Sequence, residues 1–154
     1  MELEEAIAST LAKGLEEDEL WRITELATER TYEGGDTLVR QFDRDSDLII
    51  ILEGSAKVTT FGDELIAELG PGSIVGEISL VDERPRSATV RSSNGATVAI
   101  IPSAKLRELL EDEPAIAAIV YQNIAQTLCA RLRLATIHMD GLMVARSGDR
   151  AMLV

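Results

Sequence analysis

The sequence predicts an α+β chain, an antiparallel β-barrel or jelly roll with helices before it and two helices after it. Three observations carry this. Apolar residues recur at helical spacing at both ends. Short apolar runs, spaced about ten residues apart and punctuated by glycine turns, fill the middle. From Ala115 to Asp140 neither glycine nor proline interrupts the chain.

Residues 1–30 read as helices that pack on the barrel. Leu3, Ile7 and Leu11 recur every four residues up to a stop at Gly14, and Leu20, Ile23, Leu26 and Ala27 mark a second apolar face. Trp21 is expected to pack where these helices meet the strands. Residues 31–102 read as the barrel. Gly34-Gly35-Asp36 is a turn, Leu48 to Leu52 a buried strand, and Leu65-Ile66-Ala67 and Ile74-Val75 further short strands. Asn94-Gly95 reads as a hairpin turn between two more. Residues 103–142 read as two helices, the first N-capped by Ser103 and the second begun at Pro114. In the second, Ile116, Val120, Ile124, Leu128 and Leu132 form one stripe, its early part expected on the barrel and its later part, from about Asn123, on a second copy. Residues 143–154 are left as an unassigned tail. The whole is a single domain of 154 residues.

Composition excludes several functions. With 27 acidic residues against 15 basic ones and a net charge of −12, the chain lacks the clustered positive charge that holds a nucleic acid. No apolar run is long enough to cross a bilayer. The start Met1-Glu2-Leu3-Glu4-Glu5 has none of the character of a secretory signal, and one cysteine, Cys129, makes no internal disulfide, so a cytoplasmic setting is expected. Cys129 reads as packing. The only histidine, His138, has no set of ligand-spaced partners, so no metal is expected. No nucleophile–base motif, P-loop or kinase glycine loop is present, and the chain is not expected to be an enzyme.

The chemistry lies in two short stretches. Gly76-Glu77-Ile78-Ser79-Leu80 offers a close backbone approach, a carboxylate and a short apolar turn. Pro85-Arg86-Ser87-Ala88-Thr89-Val90 then supplies one arginine among small residues. A carboxylate that accepts from a hydroxyl, beside a guanidinium that forks onto phosphate, suits a small molecule carrying hydroxyls and one phosphate. Residues 76–90 closely resemble the phosphate-binding cassette of the cyclic nucleotide-binding domain, the ligand module of catabolite activator-type regulators, cyclic nucleotide-dependent kinases and gated channels. The order of elements is similar from about Leu11 to Arg133.

The resemblance implies a ligand, cyclic AMP or cyclic GMP, and no cofactor. Arg86 would pair with the phosphate, the amides of Ile78, Ser79 and Ala88 would add donors, and Ser87 would sit within reach. Glu77 would accept the ribose 2′-hydroxyl, beside a Gly76 that leaves room for the sugar. Val58, Ile66 and Leu69 are candidates for the apolar wall of a base pocket. Catabolite activator-type proteins carry a Thr-Ser pair on the last helix, where this chain has Arg131-Leu132. Arg131 reads either as a solvated helix arginine or as a guanidinium stacked on a purine. The expected function is a receptor that signals by conformational change, as a homodimer through its C-terminal helix or to a separate effector protein. The alternatives are an interaction module that binds no nucleotide, and the sensor part of a truncated transcription regulator.

Overall fold

The computed structural model describes residues 1–60 and 62–152, with the side chains of 145–152 left aside. Two helices, α1 (Leu3–Ser9) and α2 (Glu17–Thr24), precede six strands: β1 (Thr28–Tyr32), β2 (Thr37–Val39), β3 (Leu48–Thr59), β4 (Leu65–Leu69), β5 (Ile74–Val75) and β6 (Thr89–Ile101). A short helix, α3 (Glu77–Asp82), separates β5 from β6, and α4 (Ser103–Asp112) and α5 (Pro114–Met152) follow. All strand pairs are antiparallel. The long β3 and β6 lie side by side, with β1 and β2 on the far side of β6 and β4 and β5 on the far side of β3. The hydrogen-bonded path is open, so the strands make a rolled sheet and not a closed barrel.

Alternation explains why Leu48 to Leu52 is apolar without a break. Leu48, Ile50 and Leu52 face a core built with α1, α2, α4 and α5, in which Ile7, Leu11, Ile23, Leu106 and Ile116 are also buried. Ile49 and Ile51 face the inside of the roll, with Val75, Val90 and Val98. The strand is therefore buried on both sides.

Asn94-Gly95 does not turn a hairpin. It lies inside β6, where Gly54 pairs with Ala96 and Ala56 with Ser92, so that three residues of β6 stand opposite one of β3. The positive φ that suits a hairpin, +111° at Gly95, also suits a bulge. Gly54 (φ +82°) faces it, and a Cβ there would strike the Gly95 carbonyl.

Four other expectations are corrected. Trp21 is 60% exposed, because Leu20 and Ile23 already take the inward face of α2 and Trp21 falls between them. Ser103 does not cap α4; its hydroxyl bonds the Ser46 hydroxyl instead. Cys129 is exposed, one residue off the buried stripe of α5. The last helix also does not end near Leu142. An interior glycine costs about 1 kcal/mol relative to alanine, too little to stop an established helix, and α5 passes through Gly141 into the segment left unassigned. Leu153 and Val154 lie outside the described residues.

Ile116, Val120 and Ile124 of α5 are buried against the sheet-side core, and Leu128 partly so. Asn123 fixes the crossing by donating to the carbonyls of Leu11 (2.9 Å) and Lys13 (3.0 Å). Beyond it Leu132 is 67% exposed. The stripe leaves the core only after Leu128, later than the change at about Asn123 that the sequence suggested.

Candidate functional site

β5 delivers the chain to Gly76, whose left-handed backbone (φ +96°) starts α3 with Glu77 in its first turn, where a carboxylate suits the helix dipole. Ser79 and Leu80 turn inward, and Glu83, at φ +56°, ends the helix. Arg107 of α4 donates to the Leu80 carbonyl at 2.9 Å, so a cation closes the C-terminal end of α3. The loop that follows brings Arg86 back under the start of α3. It is paired with the segment before β3: the Phe42 amide donates to the Arg86 carbonyl at 2.9 Å, and the Arg86 amide to the Asp43 carbonyl at 2.8 Å.

Arg86 is 3% exposed. Its Nη2 donates to the Asp47 carbonyl at 2.7 Å and stands 3.4 Å from the Asp45 carboxylate. Its Nε and Nη1 are buried with no partner. Two idle donors on a buried guanidinium each cost about 1–3 kcal/mol relative to satisfied ones. Both can donate to an anion. The segment before β3 carries Asp47, whose carboxyl is pushed up chiefly by burial and next by the Asp45 carboxylate, against the opposing pull of the Ser103 amide and Arg86.

Glu77 is 2% exposed and lies at the other end of the site. Its Oε1 accepts from Nη1 of Arg131, and Nη2 of Arg131 donates to the Ile74 carbonyl. Arg131 is thus no solvated helix arginine. It reaches from α5 onto the start of α3 and neutralises the buried carboxylate. Spacing alone could not show this, since the pair is separated by 54 positions. The Asp45-Ser46-Asp47 segment, which holds Arg86 from the far side, was also missed; its only trace in the sequence is an alternating acidic run just before a buried strand.

Gly76 joins the two halves. A Cβ there would meet Nη1 of Arg86 and, at 2.7 Å, the Asp47 carbonyl. Gly76→Ala must therefore both strain a left-handed residue, at about 1–2 kcal/mol, and displace the guanidinium. Its thermal midpoint should fall by several degrees, and a midpoint equal to wild type would show that the glycine is not required.

Other expected residues are placed less uniformly. Ile78 is 43% exposed on the outer face of α3, so only its amide belongs to the first turn. Ser87 is exposed, with its carbonyl held by Gln41 Nε2 at 3.2 Å, and Ala88 is half-buried. Val58 and Leu69 pack against the inner core of the roll. Ile66 alternates to the other face of β4 and is 58% exposed, so it shares no wall with them.

Residues 29–113 match the family model described as the cyclic nucleotide-binding domain. The chain is 30% identical over 149 residues to the cyclic AMP receptor protein of Thermus thermophilus, covering 92% of this chain and 66% of that one. It is also 30% identical over 139 residues to glutaminase 1 of Bradyrhizobium diazoefficiens, covering 90% of this chain but only 22% of that enzyme. Among solved structures, a cyclic nucleotide-binding domain from Methylobacillus flagellatus superposes with a TM-score of 0.78 at 25% identity, over 88% of this chain and 79% of the other. With more than half of its residues matched by that model, the chain belongs to the cyclic nucleotide-binding domain family.

Proposed function

We propose that this chain is a cytoplasmic receptor domain for a 3′,5′-cyclic purine nucleotide, cyclic AMP or cyclic GMP, and that it acts by binding and not by catalysis. The observation that carries the reading is the buried Arg86 guanidinium with Nε and Nη1 unpartnered. A cyclic phosphate presents anionic oxygens that can accept from these donors in charge-assisted hydrogen bonds. The first-turn amides of Ile78 and Ser79 favour the same anion. An interaction module without a ligand would carry the cost of those idle donors for no return.

Glu77 supplies the second recognition element. Arg131 occupies Oε1 and leaves Oε2 to accept a ribose 2′-hydroxyl. Arg131 also ties α5 to the sugar site, so a ligand that shifts Glu77 shifts α5 with it. That supports signalling through the last helix. The base is left with the inner face near Val58 and Leu69.

The test is a comparison of each cyclic nucleotide with its 2′-deoxy analogue by displacement of a fluorescent nucleotide. Loss of a hydrogen bond to a buried charged group should weaken the deoxy analogue by about tenfold or more. Glu77→Gln should narrow the gap. Equal affinity for both analogues in the wild type would remove Glu77 from ribose recognition.

A further inference from the structure

A cleft of about 380 Å³ is lined by Arg44, Ser46, Glu83, Arg84, Pro85 and Arg107. In a chain of net charge −12, three guanidinium groups meet there with one carboxylate. Arg107 is anchored by its bond to the Leu80 carbonyl, while its other arm is held only by Glu83, at 3.5 Å and with the glutamate side chain 70% exposed. The side chains of Arg44 and Arg84 form no hydrogen bond or ion pair among the described residues. The neighbouring acids are otherwise engaged in part: Asp45 pairs with Arg86, and Asp82 accepts from the Arg84 amide at 3.0 Å, while Asp43 stays exposed. Two free forks and a half-held third form a local positive patch that the chain's own carboxylates do not fill.

We propose that this cleft is a docking site for a carboxylate-rich segment of a partner protein. Planar forks match carboxylates in geometry and charge. A peptide is favoured over a free small anion because α3, which leads into the cleft, exposes Ile78 and Val81 (43% and 51%), and only a peptide can cover them with apolar side chains of its own. Docking does not depend on the nucleotide reading, but a consequence of it does. Arg84 and Arg86 flank Pro85 on one loop, and Arg107 holds the end of α3. A partner on the cleft therefore grips both arms of the cassette, and partner and nucleotide must alter each other's affinity by the same factor.

The probe is a fluorescein-labelled peptide containing glutamate and leucine, followed by anisotropy, with a lysine-for-glutamate version as control. Wild type should bind the acidic peptide and not the control, more weakly as salt is raised. The double variant Arg44→Glu/Arg84→Glu should lose about tenfold or more in affinity while melting like wild type. No binding by wild type, or equal binding by the double variant, would overturn the site. Displacement of the peptide by pyrophosphate at comparable concentration would replace the protein partner by a small anion. Failure of wild type to bind cyclic nucleotides would refute the receptor reading and leave the peptide result standing.

Discussion

Arg86→Ala is expected to weaken cyclic nucleotide binding by about two to three orders of magnitude, the usual cost of removing one partner of a buried charged pair. The reason lies in how the residue is held. One arm of the guanidinium is fixed by the Asp47 carbonyl, and Asp45 stands beside it. The fork is therefore pre-oriented, and the ligand pays little to organise it. Ligand-free melting should fall modestly, because the Asp47 carbonyl loses its donor while the two idle donors are removed. What disappears is the rise in Tm on adding nucleotide, worth about 2.7 kcal/mol when ligand stands at a hundred times Kd. Arg86→Lys should recover binding only partly, since an ammonium cannot fork. An alanine variant that keeps wild-type affinity in fluorescent-nucleotide displacement would sink the phosphate role of Arg86.

The wild type is expected to be a homodimer, and Leu132→Glu/Met139→Glu a monomer. The part of α5 beyond Ile124 extends roughly 40 Å at 1.5 Å per residue, with little of the sheet-side core against it. Along it Leu128, Leu132, Ala135, Met139 and Leu142 recur at alternating spacings of four and three, the pattern of a paired-helix seam. Leu132, Met139 and Leu142 are 67%, 62% and 56% exposed on one chain. So continuous an apolar face on one helix asks for a partner, and a second copy brings an identical seam. Leu132 and Met139 are better probes than Leu128, which partly packs on the core and whose loss would confuse folding with assembly. Light scattering at micromolar concentration should give twice the chain's mass for wild type and the chain's mass for the variant. A monomeric wild type would assign that face to a different protein.

Much of this was legible in the residues because it rests on local chemistry. Gly76-Glu77 followed by Pro85-Arg86 pointed to the candidate site, since a glycine before a carboxylate and an arginine among small residues act within one turn and one loop. Most of the strands were visible from short apolar runs and glycine spacing, though residues 28–30 read as helical and belong to β1. What stayed hidden depends on contacts between distant segments. Arg131 read as a solvated cation or a purine stacker, and its contacts with Glu77 and the Ile74 carbonyl come only from the crossing of α5. Asn94-Gly95 carried a true positive-φ signal, but only the register against Gly54 shows that it serves a bulge. Ile66 looked like pocket wall because apolarity does not say which face of a strand a residue takes.

The central claim is that Arg86 and Glu77 form one receptor site for a cyclic nucleotide. Isothermal titration of the wild-type chain with cyclic AMP, cyclic GMP and the corresponding open 5′-monophosphates tests it most directly. Saturable binding of at least one cyclic nucleotide at one site per chain is expected, with the open monophosphate weaker because its extra charge and altered sugar geometry do not suit a single buried fork. Absence of binding by both cyclic nucleotides at millimolar concentration, or equal binding of cyclic and open forms, would contradict it.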